Sequence, residues 1–328
     1  MFRLNSKIII GRTEFPFVCE VSTNESIETL TDTCTIQLPR KIKWEHSEIF
    51  FGQNPIIKKG DKVDVYPGYN DDLKLVFLGY VARIRRKLPV EIECEDEMWQ
   101  LKQPHNIVKK QVFNKITLAE LLQQTMPQNI EFKCPEMQLG RITIEADTQP
   151  IKVLELLTKQ DTWGLCAYFQ NINNKPILFV GLPNIHFIEY RKTQKFQFEY
   201  NIISDNLQYY NADDKKIKVK GISINSDNKK IEYEHGSADG ELRTFHFTNL
   251  SPEQLKEIVI MKHKNFQVGG YEGSFTTFGE PYTRKADAVE ITDYRFTATK
   301  ETYSVKSVRR TFGTNGYRQE ITLNQKIS

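Results

Sequence analysis

The chain has 328 residues, 39% hydrophobic and 27% charged, enough for two or three ordinary domains with cores of their own. Its 45 basic and 42 acidic residues leave a net charge of +3, without the basic excess that a dedicated duplex-DNA binder uses to neutralise phosphates. This balance excludes collagen-like and wholly disordered chains, and the 20 Phe and 14 Tyr favour strands.

At the N-terminus, Arg3-Leu4-Asn5-Ser6-Lys7-Ile8-Ile9-Ile10 alternates like a strand. It has neither the apolar stretch nor the cleavage site of a signal peptide. No window approaches the 18 or so apolar residues of a membrane-crossing helix, so folding in a cytoplasm without membrane anchoring is expected. Residues 1–104 read as short strands at 15–21, 33–38, 62–66 and 90–94, with a turn at Pro67-Gly68-Tyr69-Asn70-Asp71-Asp72 and a long strand over 73–84. Such punctuation predicts a barrel or sandwich.

Residues 105–190 change character. Thr117 and Glu120 form a capping box that opens a helix ended by Pro127. Pro150 suits the first turn of a second helix, whose stripe is Val153, Leu154, Leu156 and Leu157. Gly164 closes it, and strands over 165–169 and 177–180 complete a small α+β module.

Residues 191–328 return to strands, with clean alternation over 216–224. Ser251-Pro252-Glu253-Gln254 starts one interrupting helix, predicted over 251–264, and Gly269-Gly270 ends the excursion. The fold expected is therefore mainly β with an α+β insertion, two β-barrel domains at 1–104 and 191–328 flanking the module at 105–190.

The two β regions repeat each other. Gly60-Asp61-Lys62-Val63-Asp64-Val65 matches Ala286-Asp287-Ala288-Val289-Glu290-Ile291, and Val81-Ala82-Arg83-Ile84-Arg85-Arg86 matches Val305-Lys306-Ser307-Val308-Arg309-Arg310. An alternating strand follows each, Val90-Glu91-Ile92-Glu93 and Gln319-Glu320-Ile321-Thr322-Leu323. Three chains with two such copies present six similar units, which mates a six-fold partner to a three-fold one.

These stretches resemble the baseplate hub proteins of contractile-tailed phages, the late-control D proteins, and the hub region of type VI secretion spikes. The carrying residues are Lys58-Lys59-Gly60-Asp61-Lys62-Val63-Asp64-Val65, Val76-Phe77-Leu78-Gly79-Tyr80-Val81 and Ile92-Glu93-Cys94-Glu95-Asp96. Phe278-Gly279-Glu280-Pro281 and Gly316-Tyr317-Arg318-Gln319-Glu320 resemble the second barrel's counterpart. Ala286 departs from the glycine of that pattern. The resemblance implies two tube-forming barrels, a homotrimeric ring, and a tail tube protein and a spike protein as partners. The place implied is a virion tail baseplate or tail-like particle assembled in the bacterial host cytoplasm. DNA enters only as cargo passing through the lumen. Because the sequence stops at Ser328, directly after the second copy, the spike is expected to be a separate protein.

No nucleophile elbow, Walker A loop, His-Glu-x-x-His or Cys-x-x-Cys occurs, so neither catalysis nor a cofactor or metal is expected. Cys19, Cys34, Cys94, Cys134 and Cys166 have neither metal nor redox spacing, and read as small thiols in a reducing compartment. Glu93, Glu95 and Glu97 share one strand face, read as solvated or subunit-contacting, and His246 reads as an ordinary strand residue. Arg83, Arg85, Arg86, Arg309 and Arg310 end equivalent strands and are the candidate subunit interface. The competing function is a carbohydrate- or single-stranded nucleic-acid-binding barrel module, for which Tyr209, Tyr210 and Trp163 would serve. A wall-degrading enzyme is disfavoured for lack of an acid/base constellation.

Overall fold

A computed structural model describes every residue except 1, 2, 16, 40, 45, 46, 51–55, 160–162, 212–215, 226, 228, 249, 267, 268, 295–298 and 328. The first strand set comprises β1 (Leu4–Ile10), β2 (Thr13–Phe15), β3 (Glu20–Ser26), β4 (Thr33–Leu38), β5 (Lys41–Trp44), β6 (Ser47–Phe50), β7 (Lys62–Tyr69), β8 (Asp72–Leu73), β9 (Phe77–Arg85) and β10 (Val90–Glu95). Apart from the separate β5–β6 hairpin and the short β8, they align as β3-β4-β10-β9-β7-β1-β2. Alternation directs Ile36, Leu38, Val63, Val65, Val81 and Ile92 into one core.

Three sequence expectations differ from the structure. The long strand expected over 73–84 is broken at 74–76, between β8 and β9. The strand expected over 15–21 is split, because β2 ends at Phe15 and β3 starts at Glu20. The turn expected at Pro67 lies farther on, since β7 runs through Pro67-Gly68 and pairs Ser6 with Pro67. Asn70, at φ 56°, makes the reversal instead. Gly68 is required because a Cβ there would stand 2.0 Å from the Asp72 carbonyl oxygen.

Next come α1 (Met98–Leu101), β11 (Gln111–Thr117), α2 (Leu118–Thr125), β12 (Phe132–Lys133), β13 (Gln138–Ile144), α3 (Pro150–Thr158), β14 (Cys166–Ile172), β15 (Lys175–Gly181) and α4 (Pro183–His186). The Thr117–Glu120 capping box forms reciprocally, and Pro150 opens α3. Leu121, Leu122, Leu154 and Leu157 pack with Met98 and Leu101 in one core.

The remaining elements are β16 (Thr193–Gln197), β17 (Ile202–Asp205), β18 (Gln208–Tyr210), β19 (Ile217–Ile224), β20 (Lys230–Gly236), β21 (Glu241–Thr248), α5 (Pro252–Phe266), β22 (Gly270–Glu272), β23 (Ser274–Phe278), β24 (Ala288–Asp293), β25 (Thr299–Gly313) and β26 (Gly316–Lys326). Ser251 and Gln254 cap α5 reciprocally. Strands β19–β21 form their own sheet under α5, around Val219, Phe245, Leu255 and Val259. This unit is inserted between β18 and β22, where the first set has only the loop between β3 and β4.

The repeat holds at the level of single hydrogen bonds. Gly60 N–H donates to the Val81 carbonyl and Val81 N–H to the Asp61 carbonyl; Ala286, Val305 and Asp287 repeat both bonds. Each aspartate carboxylate accepts the N–H three residues back, from Lys58 or Arg284. Ala286 adopts φ 64° where Gly60 adopts 88°, so it takes the left-handed turn despite its Cβ. The order β7-β9-β10-β4-β3 therefore matches β24-β25-β26-β23-β17.

The two sets share one sheet, because β25 also pairs with β3. The sheet path runs from β17 to β2, so among the described residues it is open at both ends.

Candidate assembly interface

The contact between the copies is built by the far half of β25. Beyond Val305 it leaves β24 and lies against β3, pairing Val308 with Glu25, Arg309 with Asn24 and Arg310 with Thr23. Phe312 and Tyr317, from the second copy, pack inside the core of the first. Arg310 is 2% exposed. Its Nη2 donates to Glu25 Oε1 at 2.7 Å and to the Thr283 carbonyl, and its guanidinium lies 4.7 Å from the Tyr282 ring centre. Burial is the largest influence and works against the charge, but Glu25, Tyr282 and Tyr317 together hold Arg310 above the usual guanidinium range. Burial also pushes the Tyr282 hydroxyl up to about 12.

A second buried pair adjoins the first. Lys285 Nζ meets Asp32 Oδ2 at 2.5 Å and sits 5.1 Å from the Tyr168 ring centre. Burial raises Asp32 to about 6, with Lys285 opposing and Glu25 assisting. Asp96 is raised well above the carboxylate range by burial and then by the Asp32 charge. Its Oδ1 accepts the Met98 N–H, while its Oδ2 has no partner. The loop before β4, the turn before β24 and the end of β10 thus meet through charges removed from water, where an ion pair costs most to break.

The five singled-out arginines divide. Arg310 belongs to the interior seam of its own chain. Arg309 is exposed, across from Glu320 and Asn24. Arg85 meets Glu93 at 2.5 Å and Glu91 at 3.4 Å within its own sheet. Arg83 and Arg86 are exposed and make no ion pair among the described residues. Sequence reading missed Glu25, Asp32 and Lys285; the one local signal was three charges, Arg284, Lys285 and Asp287, crowded into a turn between strands.

Of the strand edges open among the described residues, two lie at places of the repeat equivalent to those of β25 and β3. Past Tyr80, β9 no longer pairs with β7, so residues 83–86 offer one free side. β17 and β18 pair on one side only, with β23 and β22; Ile203 and Tyr209 are exposed there.

No other cluster forms a site. Glu97 differs from the expected solvated face: the chain turns into α1 after Glu95, and Glu97 is buried, accepting from the Tyr80 hydroxyl and Gln100. His246 lies in β21 with both ring nitrogens unpartnered, and burial lowers it to about 4. Among the described residues no three His, Cys, Asp or Glu side chains could hold a metal ion, and no helix is long and apolar enough to cross a membrane.

No family model matches the chain, and no curated protein sequence does. Solved structures do. A tail protein of Neisseria meningitidis MC58 matches with TM-score 0.64 at 12% identity, covering 99% of this chain and 97% of that one. The 43 kDa tail protein of prophage MuSo2 from Shewanella oneidensis matches with TM-score 0.62 at 16% identity, covering 98% of each. The E. coli c3393 protein, a type VI secretion component described as structurally similar to the T4 tail proteins gp27 and gp5, gives TM-score 0.58 at 8% identity over 98% of this chain and 76% of that one. The chain therefore has the fold of these phage-tail and type VI proteins.

Proposed function

We propose that the chain is a non-enzymatic structural hub of a phage-tail-like baseplate, three copies forming a ring that joins a tail tube protein to a spike protein. It would act in a virion tail or tail-like particle assembled in a bacterial cytoplasm. Its units are two barrel-like strand sets, residues 1–104 and 191–328, around the α+β module at 105–190. The observation that carries this reading is the internal repeat, bond for bond at Asp61 and Asp287, in a chain with the fold of phage tail proteins over nearly its full length. Two copies per chain and three chains give six equivalent positions, which reconcile six-fold and three-fold partners. The exposed Arg83, Arg86 and Arg309 serve as subunit contacts, and Arg85 keeps its intrachain acidic partners beside them.

Sedimentation of the purified chain, alone and with tail tube protein, tests this. The expected result is a closed three-chain species that binds the tube. A chain that stays single at high concentration, ignores the tube and binds carbohydrate or single-stranded nucleic acid would replace the hub by a binding module.

A further inference from the structure

Strand β25 uses both of its sides, whereas its counterpart β9 leaves one side bare beyond Val81. Strand β3, covered by β25, likewise has a counterpart in β17 and β18, which nothing covers among the described residues. The ladders fix the equivalence. Val21 pairs through Ile36 to Ile92, and Asp205 pairs through Phe275 to Ile321. Three residues farther along each strand stand Asn24 and Gln208.

We propose that the bare side of β9 takes the β17–β18 edge of a second copy of this chain, in the register that β25 and β3 use internally. Arg309 opposite Asn24 then becomes Arg85 opposite Gln208 of the second copy, and Arg86 stands opposite Leu207. Charge supports the match. The first edge carries Arg83, Arg85, Arg86 and Lys87, while residues 199–210 carry Glu199 and Asp205 and no cation. Apolar surface supports it too: Leu88, at the hairpin tip beside the bare strand, is 71% exposed, and Tyr209 is 52% exposed. Each chain offers one edge of each kind, so the contact is head-to-tail and closes only as a ring. That the ring closes at three rests on the hub reading.

Antiparallel neighbours lie close enough for a disulfide. The test is the double variant Arg85→Cys with Gln208→Cys, mildly oxidised, run on a non-reducing gel beside a mass measurement in solution. Linked species of two and three chains, dispersed by reductant, are expected. Arg85→Cys with Asp205→Cys, three residues out of register, and the wild type with its own cysteines should give none. A three-chain mass without the 85–208 link would overturn the edge pairing and leave the hub standing. A single-chain mass at every concentration would overturn both. Circular dichroism shows that each variant folds. Arg83→Glu with Arg86→Glu, two exposed side chains without intrachain ion pairs, should raise the dissociation constant of the assembly without changing the spectrum; an unchanged constant counts against the pairing.

Discussion

Arg86 and Arg310 hold the same place in the two copies of one strand motif, and their surroundings are opposite. Arg310 is covered by β3 and tied to Glu25; Arg86 is exposed and unpaired. The turn that leads into each motif makes the same hydrogen bonds, so the difference arises from what lies beside the strand. The first copy lends its β3 to the second, and the second lends Phe312 and Tyr317 to the core of the first. The far half of β9 and the outer side of β17 and β18 have no strand partner among the described residues. The copies also differ at the far side: β1 runs antiparallel to β7, whereas β16 runs parallel to β24, because the α+β module delivers the chain from the other end.

Removing one arginine from each environment breaks the comparison if it is wrong. Arg310→Ala leaves Glu25 buried beside Asp32 without its cation, and should cost about 3–5 kcal/mol in urea unfolding. Arg86→Ala should change the unassembled chain by no more than about 0.5 kcal/mol. Equal costs would mean that the seam does not distinguish the copies.

The turn aspartates come next. Asp287 is 1% exposed and accepts the N–H groups of Lys192 and Arg284 and the Arg284 side chain. Asp61 accepts Lys58 N–H. Asp287→Ala should therefore cost about 3 kcal/mol against about 1 for Asp61→Ala, read from the same unfolding curves.

The seam also carries an acid that the open edge lacks. The carboxyl of Asp96 is held above its ordinary value of about 4 when folded, so its protonated form is favoured by folding. Its contribution is full below about pH 4 and is lost as pH rises through the folded value. Asp96→Asn keeps the acceptor for Met98 N–H and removes that loss. It should stabilise the chain at neutral pH, with the gain vanishing towards pH 4 in thermal melts. A gain independent of pH would place its cause elsewhere.

The smallest effect sharpens the repeat itself. Gly60→Ala puts a Cβ into the left-handed region and 3.2 Å from the Trp99 ring, at a cost of about 1 kcal/mol. Ala286→Gly relieves the same strain but gives up a buried methyl, so a gain of at most about 0.5 kcal/mol is expected.

What could be read from sequence was local. The Thr117–Glu120 and Ser251–Gln254 boxes, the alternation of residues 33–38 and 90–94, and the Gly60-Asp61 and Ala286-Asp287 turns are decided within a few residues of chain. Pro67 misled because a proline beside glycine signals a turn, but here its missing N–H lies on the side of β7 away from β1, where its carbonyl accepts the Lys74 N–H, so the β1 ladder is not interrupted. The seam was invisible for another reason. Glu25 meets Arg310 from 285 positions away, and no periodicity in either segment announces the other. The arginines stood out as strand ends, but burial, which sequence does not display, separates Arg310 from Arg86.

In the assembled ring the bare side of β9 should be covered as β25 is covered within the chain. Alternation along the strand points the Ile84 and Arg86 amides to that side, like those of Val308 and Arg310. Hydrogen exchange of these four amides, followed from dilute to concentrated protein, tests it directly. Val308 and Arg310 should be slow throughout, while Ile84 and Arg86 should pass from fast to slow as chains associate. Ile84 and Arg86 amides that stay fast in a sample shown to be trimeric would contradict it.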